Sequence, residues 1–222
     1  MGGGRDGGGA STRNTPRLIT ALMGRAKCAQ DVLAVVGDNF QQLDHIHVSM
    51  AFNRLGKMAK SRDFTPRHLT VDEGFARLLC LARDYARHGT SGSQSVANTT
   101  HGIAKLNEAG RLGATDGSVK DTLAALETAA GRVAREMNSQ AVSNVLWAYA
   151  TLGRMPGDDT WSVLETAARR VARDMNSQEV SNVIWGYAKL RRTPGDDTWR
   201  VLETAVGRVS RDMNSQEVSN VL

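Results

Sequence analysis

MNSQAVSNVLWAYATLGRMPGDDTWSVLETAARRVARD, residues Met137 to Asp174, is followed at once by MNSQEVSNVIWGYAKLRRTPGDDTWRVLETAVGRVSRD, residues Met175 to Asp212, and 28 of the 38 aligned positions are identical. A further copy opens at Met213 as MNSQEVSNVL, and Asp121 to Glu136 (DTLAALETAAGRVARE) lies one period ahead of Asp159 to Asp174. Self-similarity at a period of roughly 20 to 50 residues is the mark of a repeat array, in which each unit buries its apolar face on its neighbours.

Each repeat carries two helical patterns separated by a breaker. Val142, Val145, Leu146, Tyr149 and Leu152 fall on one stripe of a helix, the packing face of the first pattern. Asn138 or Ser139 can cap it, and Asn176 with Glu179, like Asn214 with Glu217, has the spacing of a capping box. Pro156 and Gly157 require the helix to end near Gly153 or Arg154. The second helix is expected to start at Asp158 or Asp159, whose carboxylates can accept from first-turn amides. Its stripe is Trp161, Leu164, Ala168, Val171 and Met175. Arg169, Arg170 and Arg173 near its other end read as a solvated face that complements the helix dipole. Two such helices joined by a short turn pack antiparallel. The predicted fold is therefore all-α, an α-solenoid of 38-residue helix-turn-helix repeats.

The rest of the chain is organised around these copies. Residues 1–16 are a Gly-rich segment, expected to be disordered, that reads as a flexible linker or the remnant of a transit peptide and has no apolar core for a secretory signal. Residues 17–92 hold divergent helical pairs, 93–136 an irregular repeat, 137–174 and 175–212 the full repeats and 213–222 a truncated one. In the irregular repeat, SQSVANTTHGIAKL (Ser93 to Leu106) matches SQAVSNVLWAYATL and stands 46 residues ahead of it, with the excess assigned to the connector NEAGRLGATDGSVK. The net charge is +5, yet the two full repeats carry four basic with four acidic and six basic with five acidic side chains. With Glu217 in the tail, the net positive charge belongs to residues 1–136, which suits a polyanionic partner without requiring one.

Nothing in the motifs argues for an enzyme. His45 and His47, then His68, His88 and His101, have no carboxylate or cysteine at a ligand interval, and the glycine runs do not join a strand to a helix, so no metal, cofactor or phosphate loop is expected. Cys28 and Cys80 read as two buried, reduced thiols. No run is apolar and long enough for a membrane span.

A two-helix repeat of this length, with NSQEVSNVIWGYAKL in its first helix and Pro194-Gly-Asp-Asp-Thr-Trp199 before its second, resembles the octotricopeptide repeat family of green algae, whose relatives include the FAST kinase-like leucine-rich proteins. The likeness covers roughly residues 40–222; the family's Pro-Pro-Pro-Glu-Trp is here reduced to proline, acid and tryptophan. The resemblance implies binding of single-stranded RNA in chloroplast or mitochondrion, beside other organellar ribonucleoprotein components, in RNA stability, processing, splicing or translation. Family members often carry a RAP-type domain, which these residues do not contain.

If one base is read per repeat, contact side chains should recur with the period, lie on the first helix and avoid its apolar stripe. Gln140, Ala141, Asn144, Ala148 and Thr151 meet those conditions, with Gln178, Glu179, Asn182, Gly186 and Lys189 as equivalents. The polar contact set is then Gln140, Asn144, Thr151, Gln178, Glu179, Asn182, Lys189 and Asn220, with small residues at 148 and 186 allowing close approach. The asparagines either address base edges or bond within and between repeats. Trp161 and Trp199 read as packing anchors; Trp147 and Trp185 flank the stripe and are either packing residues or stacking platforms. The alternative function is a protein-interaction scaffold, which the near-neutral repeats allow.

Overall fold

The computed structural model describes residues 15–112 and 117–222. Residues 1–14, which hold most of the Gly-rich segment, and residues 113–116 of the connector within the irregular repeat lie outside them. Among the described residues there are eleven α-helices and no strand. The first pair is α1 (Pro16–Arg25) and α2 (Ala29–Asp38). Then come α3 (His45–Met58) with α4 (Glu73–His88), α5 (Ser93–Glu108) with α6 (Gly117–Val133), α7 (Ser139–Leu152) with α8 (Asp158–Val171), α9 (Ser177–Lys189) with α10 (Asp196–Val209), and finally α11 (Ser215–Val221). Helices α3, α5, α7, α9 and α11 pack side by side as one layer, and α2, α4, α6, α8 and α10 as a second. The architecture is the α-solenoid expected from the period.

The caps follow the sequence closely. Asn138 accepts from the Ala141 amide at 2.8 Å, and Asn176 with Glu179 and Asn214 with Glu217 form reciprocal capping boxes. Asp72 caps α4 by accepting from Phe75, and Thr15 caps α1, so this helix takes in Pro16 from the segment assigned to the linker. Helix α7 ends on Gly153 at φ 60°, where the missing Cβ removes the left-handed penalty. The matching residue one repeat later is Arg191 at φ 53°, a strained substitute in the same role.

The second helices start where expected, α8 at Asp158 and α10 at Asp196, but the bonds at both of their ends differ from expectation. The N-cap of α8 is Gly157, without a side-chain cap, and its amide donates at 2.9 Å to Glu127 of the preceding repeat. Glu165 accepts the Gly195 amide at 2.8 Å in the same way. Asp158 instead pairs with Arg192 of the following repeat at 2.6 Å. At the other end Arg170 is not merely solvated: it donates to the Met137 carbonyl one repeat back. Arg208 does the same to Met175, and Arg132 to Ala86. A glutamate and an arginine in each of two successive units, and Arg208 in the next, thus satisfy helix-end amides and carbonyls of a neighbour, which ties the stack together by charge-assisted bonds as well as by apolar burial.

Packing of the core is continuous along the array. Trp161 is buried, edge-on to Tyr187 at 5.0 Å and covered by the Arg192 guanidinium, whereas Trp199 at 44% exposure has no such cover among the described residues. The anchor role therefore holds for Trp161 and only in part for Trp199. In the N-terminal pair Ile19 and Met23 face the core while Leu18 is exposed. Cys28 and Cys80 are free and half-buried rather than buried. No helix among the described residues is long and apolar enough to cross a membrane.

Candidate nucleic-acid interface

A first helix of this array has three buried flanks: its own second helix and the first helices before and after it. In α7 these consume Ala141, Val142, Ser143, Val145, Leu146, Ala148, Tyr149 and Ala150, all buried. What remains open is a single strip at Gln140, Asn144, Trp147 and Thr151, spaced four, three and four residues apart. The strip recurs as Gln94, Asn98, His101 and Lys105 on α5 and as Gln178, Asn182, Trp185 and Lys189 on α9. On α3 it is Ile46, Met50, Asn53 and Lys57.

Successive strips lie in register. Trp147 and Trp185 are stacked with ring centroids 6.4 Å apart and planes at 29°, and His101 meets Trp147 edge-on at 4.8 Å. The Asn182 amide donates to Ser143 Oγ at 3.4 Å. Side by side, parts of the strips of α3, α5, α7 and α9 line one groove of about 400 Å³ on this layer. Along it run the amides of Asn98, Asn144 and Asn182, the rings of His101 and Trp147, with Trp185 stacked behind Trp147, and the ammonium groups of Lys57 and Lys105.

The expected contact residues divide accordingly. Gln140, Asn144, Gln178, Glu179 and Asn182 line the groove; Thr151, Lys189 and Asn220 do not. The Thr151 hydroxyl is buried with no hydrogen-bond partner among the described residues, Lys189 is exposed, and Asn220 accepts from Gln216 at 3.1 Å. Glu179 lines the groove, but one carboxylate oxygen accepts the Asn176 amide at 3.0 Å and so serves the capping box. The small residues at 148 and 186 do not admit a ligand. Ala148 is fully buried, and a Cβ on Gly186 would touch the Leu146 backbone at 3.4 Å, so both serve the approach of adjacent first helices. Ala141 is fully buried as well.

Of the asparagines, Asn98 accepts from Gln94 at 3.0 Å and Asn182 holds its long bond to Ser143, while Asn144 has no partner among the described residues. Both rival readings of the amides are thus realised, at different repeats. The groove also contains Asn53, Lys57, Lys60, Asn98, His101 and Lys105, which the period alone did not single out. The match of SQSVANTTHGIAKL to SQAVSNVLWAYATL carried the signal for three of them, since it sets Asn98, His101 and Lys105 opposite Asn144, Trp147 and Thr151.

The electrostatics are uneven along the groove. Burial lowers the His101 pKa to about 4, with Lys105 and Lys57 adding to the effect, so the ring is neutral at physiological pH. Burial lowers Lys105 too; Glu108 opposes this, and Lys57 and Lys60 add to it. Lys60 pairs with Glu108 at 3.1 Å. Among the described residues no group of three or more His, Cys, Asp or Glu is placed to hold a metal ion. Comparison of the chain with protein-family models and with curated proteins finds no match to either.

Proposed function

We propose that the protein binds single-stranded RNA along the groove of its first-helix layer and selects sequence by one strip per repeat. The observation that carries this reading is the alignment, at one-repeat intervals, of an amide row with a ring row and flanking lysines. An amide offers both donor and acceptor to a base edge, and a half-exposed indole offers a stacking face. Lysines beside them supply the sequence-independent attraction to phosphate that every RNA-binding surface needs. The strips are read from helices and not from loops, which fixes their spacing rigidly.

By its resemblance to the octotricopeptide repeat family, the protein acts on chloroplast or mitochondrial transcripts, in their stability, processing, splicing or translation. Equilibrium binding to a random single-stranded RNA pool tests the reading. Affinity should fall steeply as salt rises from about 50 to 200 mM. No measurable binding at the lower salt overturns it and favours a protein-interaction scaffold, for which the absence of net charge on residues 137–222 is the specific support.

A further inference from the structure

Helices α3 and α5 make the tightest approach in the first-helix layer. A Cβ on Gly102 would lie 2.4 Å from the Phe52 carbonyl oxygen, and one on Gly56 would lie 3.1 Å from Gly102 Cα and 3.4 Å from Lys105 Cβ. Glycine at both positions brings the backbones together. A consequence is that Lys57, the neighbour of Gly56, and Lys105 share one end of the groove with Lys60. The acid beside them, Glu108, is taken by Lys60. Neither Lys57 nor Lys105 has an ion-pair or hydrogen-bond partner among the described residues, and the ring facing them, His101, is neutral.

Ammonium groups on closely packed helices repel each other, with Glu108 as the acid beside them among the described residues, and the repulsion grows as the site loses water. Burial holds the Lys105 pKa below its usual value; Glu108 opposes this, and Lys57 and Lys60 add to it. An anion between the two would offset that cost. At the opposite end of the groove the titratable side chain is Glu179, which repels anions. The groove is therefore polar along its length, with a cationic end on α3 and α5 and an amide end on α7 and α9.

We infer that the α3–α5 end is a phosphate subsite, in which Lys57 and Lys105 grip the sugar-phosphate backbone of an RNA whose bases lie toward Asn144, Trp147 and Asn182. The inference rests on the proposed RNA binding and adds an ordered division of labour: backbone capture at one end and base contact at the other. It also assigns the strand a fixed placement, since the two ends cannot exchange roles.

Two measurements separate the subsite from the function. In the first, inorganic pyrophosphate is titrated into the intact protein while the side-chain resonances of Lys57, Lys105 and the exposed Lys120 are followed. Saturable shifts at the first two and none at Lys120 are expected; equal, linear shifts at all three overturn the subsite. In the second, the double variant Lys57→Gln/Lys105→Gln is compared with the parent in the salt dependence of RNA binding. Each lost contact to single-stranded RNA removes about 0.7 from the slope of log affinity against log salt, so a drop of about 1.4 is expected, with base preference unchanged. RNA binding with an unchanged slope overturns the subsite and leaves the function standing. Saturable pyrophosphate shifts without RNA binding retain the subsite and overturn the function.

Discussion

Trp147 and Trp185, 38 residues apart in the chain, lie with their ring centroids 6.4 Å apart and their planes inclined by 29°, both half-buried on the first-helix layer. Packing and presentation are combined in this pair: the indoles support each other, both stay partly exposed, and Trp147 lines the groove. Replacement of Trp147 by Leu should keep the helix packed while removing the stacking face. RNA affinity should fall about 5- to 150-fold, the worth of roughly 1 to 3 kcal/mol per stacked base. Binding isotherms together with thermal melts check this; loss of melting temperature with unchanged affinity would assign the indole to packing alone.

The arginine that reaches back one repeat is a stability element. Arg170 donates to the Met137 carbonyl, and Arg208 to that of Met175. Arg170→Ala should destabilise the protein by about 1.5 to 3 kcal/mol, the range for hydrogen bonds to a charged group. Arg173→Ala, at an exposed position without such a bond, should change stability by less than about 0.5 kcal/mol. Denaturant melts of the two variants compare them directly.

The left-handed helix ends differ only in residue type. Gly153 sits at φ 60° and Arg191 at φ 53°. Arg191→Gly should therefore stabilise by about 1 kcal/mol, and Gly153→Ala should destabilise by a similar amount. Opposite signs in the same melt assay are the expected result.

His101 makes stability depend on pH. Its folded-state pKa is lowered to about 4 by burial first and by Lys105 and Lys57 after it. The unfolded chain, with an ordinary histidine near pKa 6.5, binds the proton sooner as pH falls. Stability from this group is thus complete above about pH 6.5 and is lost progressively down to about pH 4, to a limit of about 3 kcal/mol. Comparison of His101→Gln with the parent between pH 7 and 4 isolates the contribution, and the variant should show a flatter profile.

The period, the caps and the two-layer stack were legible in the residues because near-identical copies must fold alike and because Asn138, Asn176 and Gly153 carry local signals that need no partner. The groove was legible only in part. A helical wheel separates the apolar stripe of α7 from the rest, but it cannot tell a side facing solvent from one facing the next first helix. Ala148 and Gly186 were for that reason expected at the ligand and are found at the helix contact. The reach of Arg170 to Met137 and of Glu127 to Gly157 was hidden for a related reason. Read on one helix, an arginine in the last turn looks like a dipole partner, and its true acceptor appears only once two repeats are stacked.

The most direct test of the central claim is selection of bound sequences from a random single-stranded RNA pool by the parent protein, by Asn144→Ala and by Asn182→Ala. Each variant should lose preference at one nucleotide, the two positions should be different, and their order along the RNA should follow the order of α7 and α9. Identical selected sequences from all three proteins, or a loss of preference at the same nucleotide in both variants, would contradict reading by one strip per repeat.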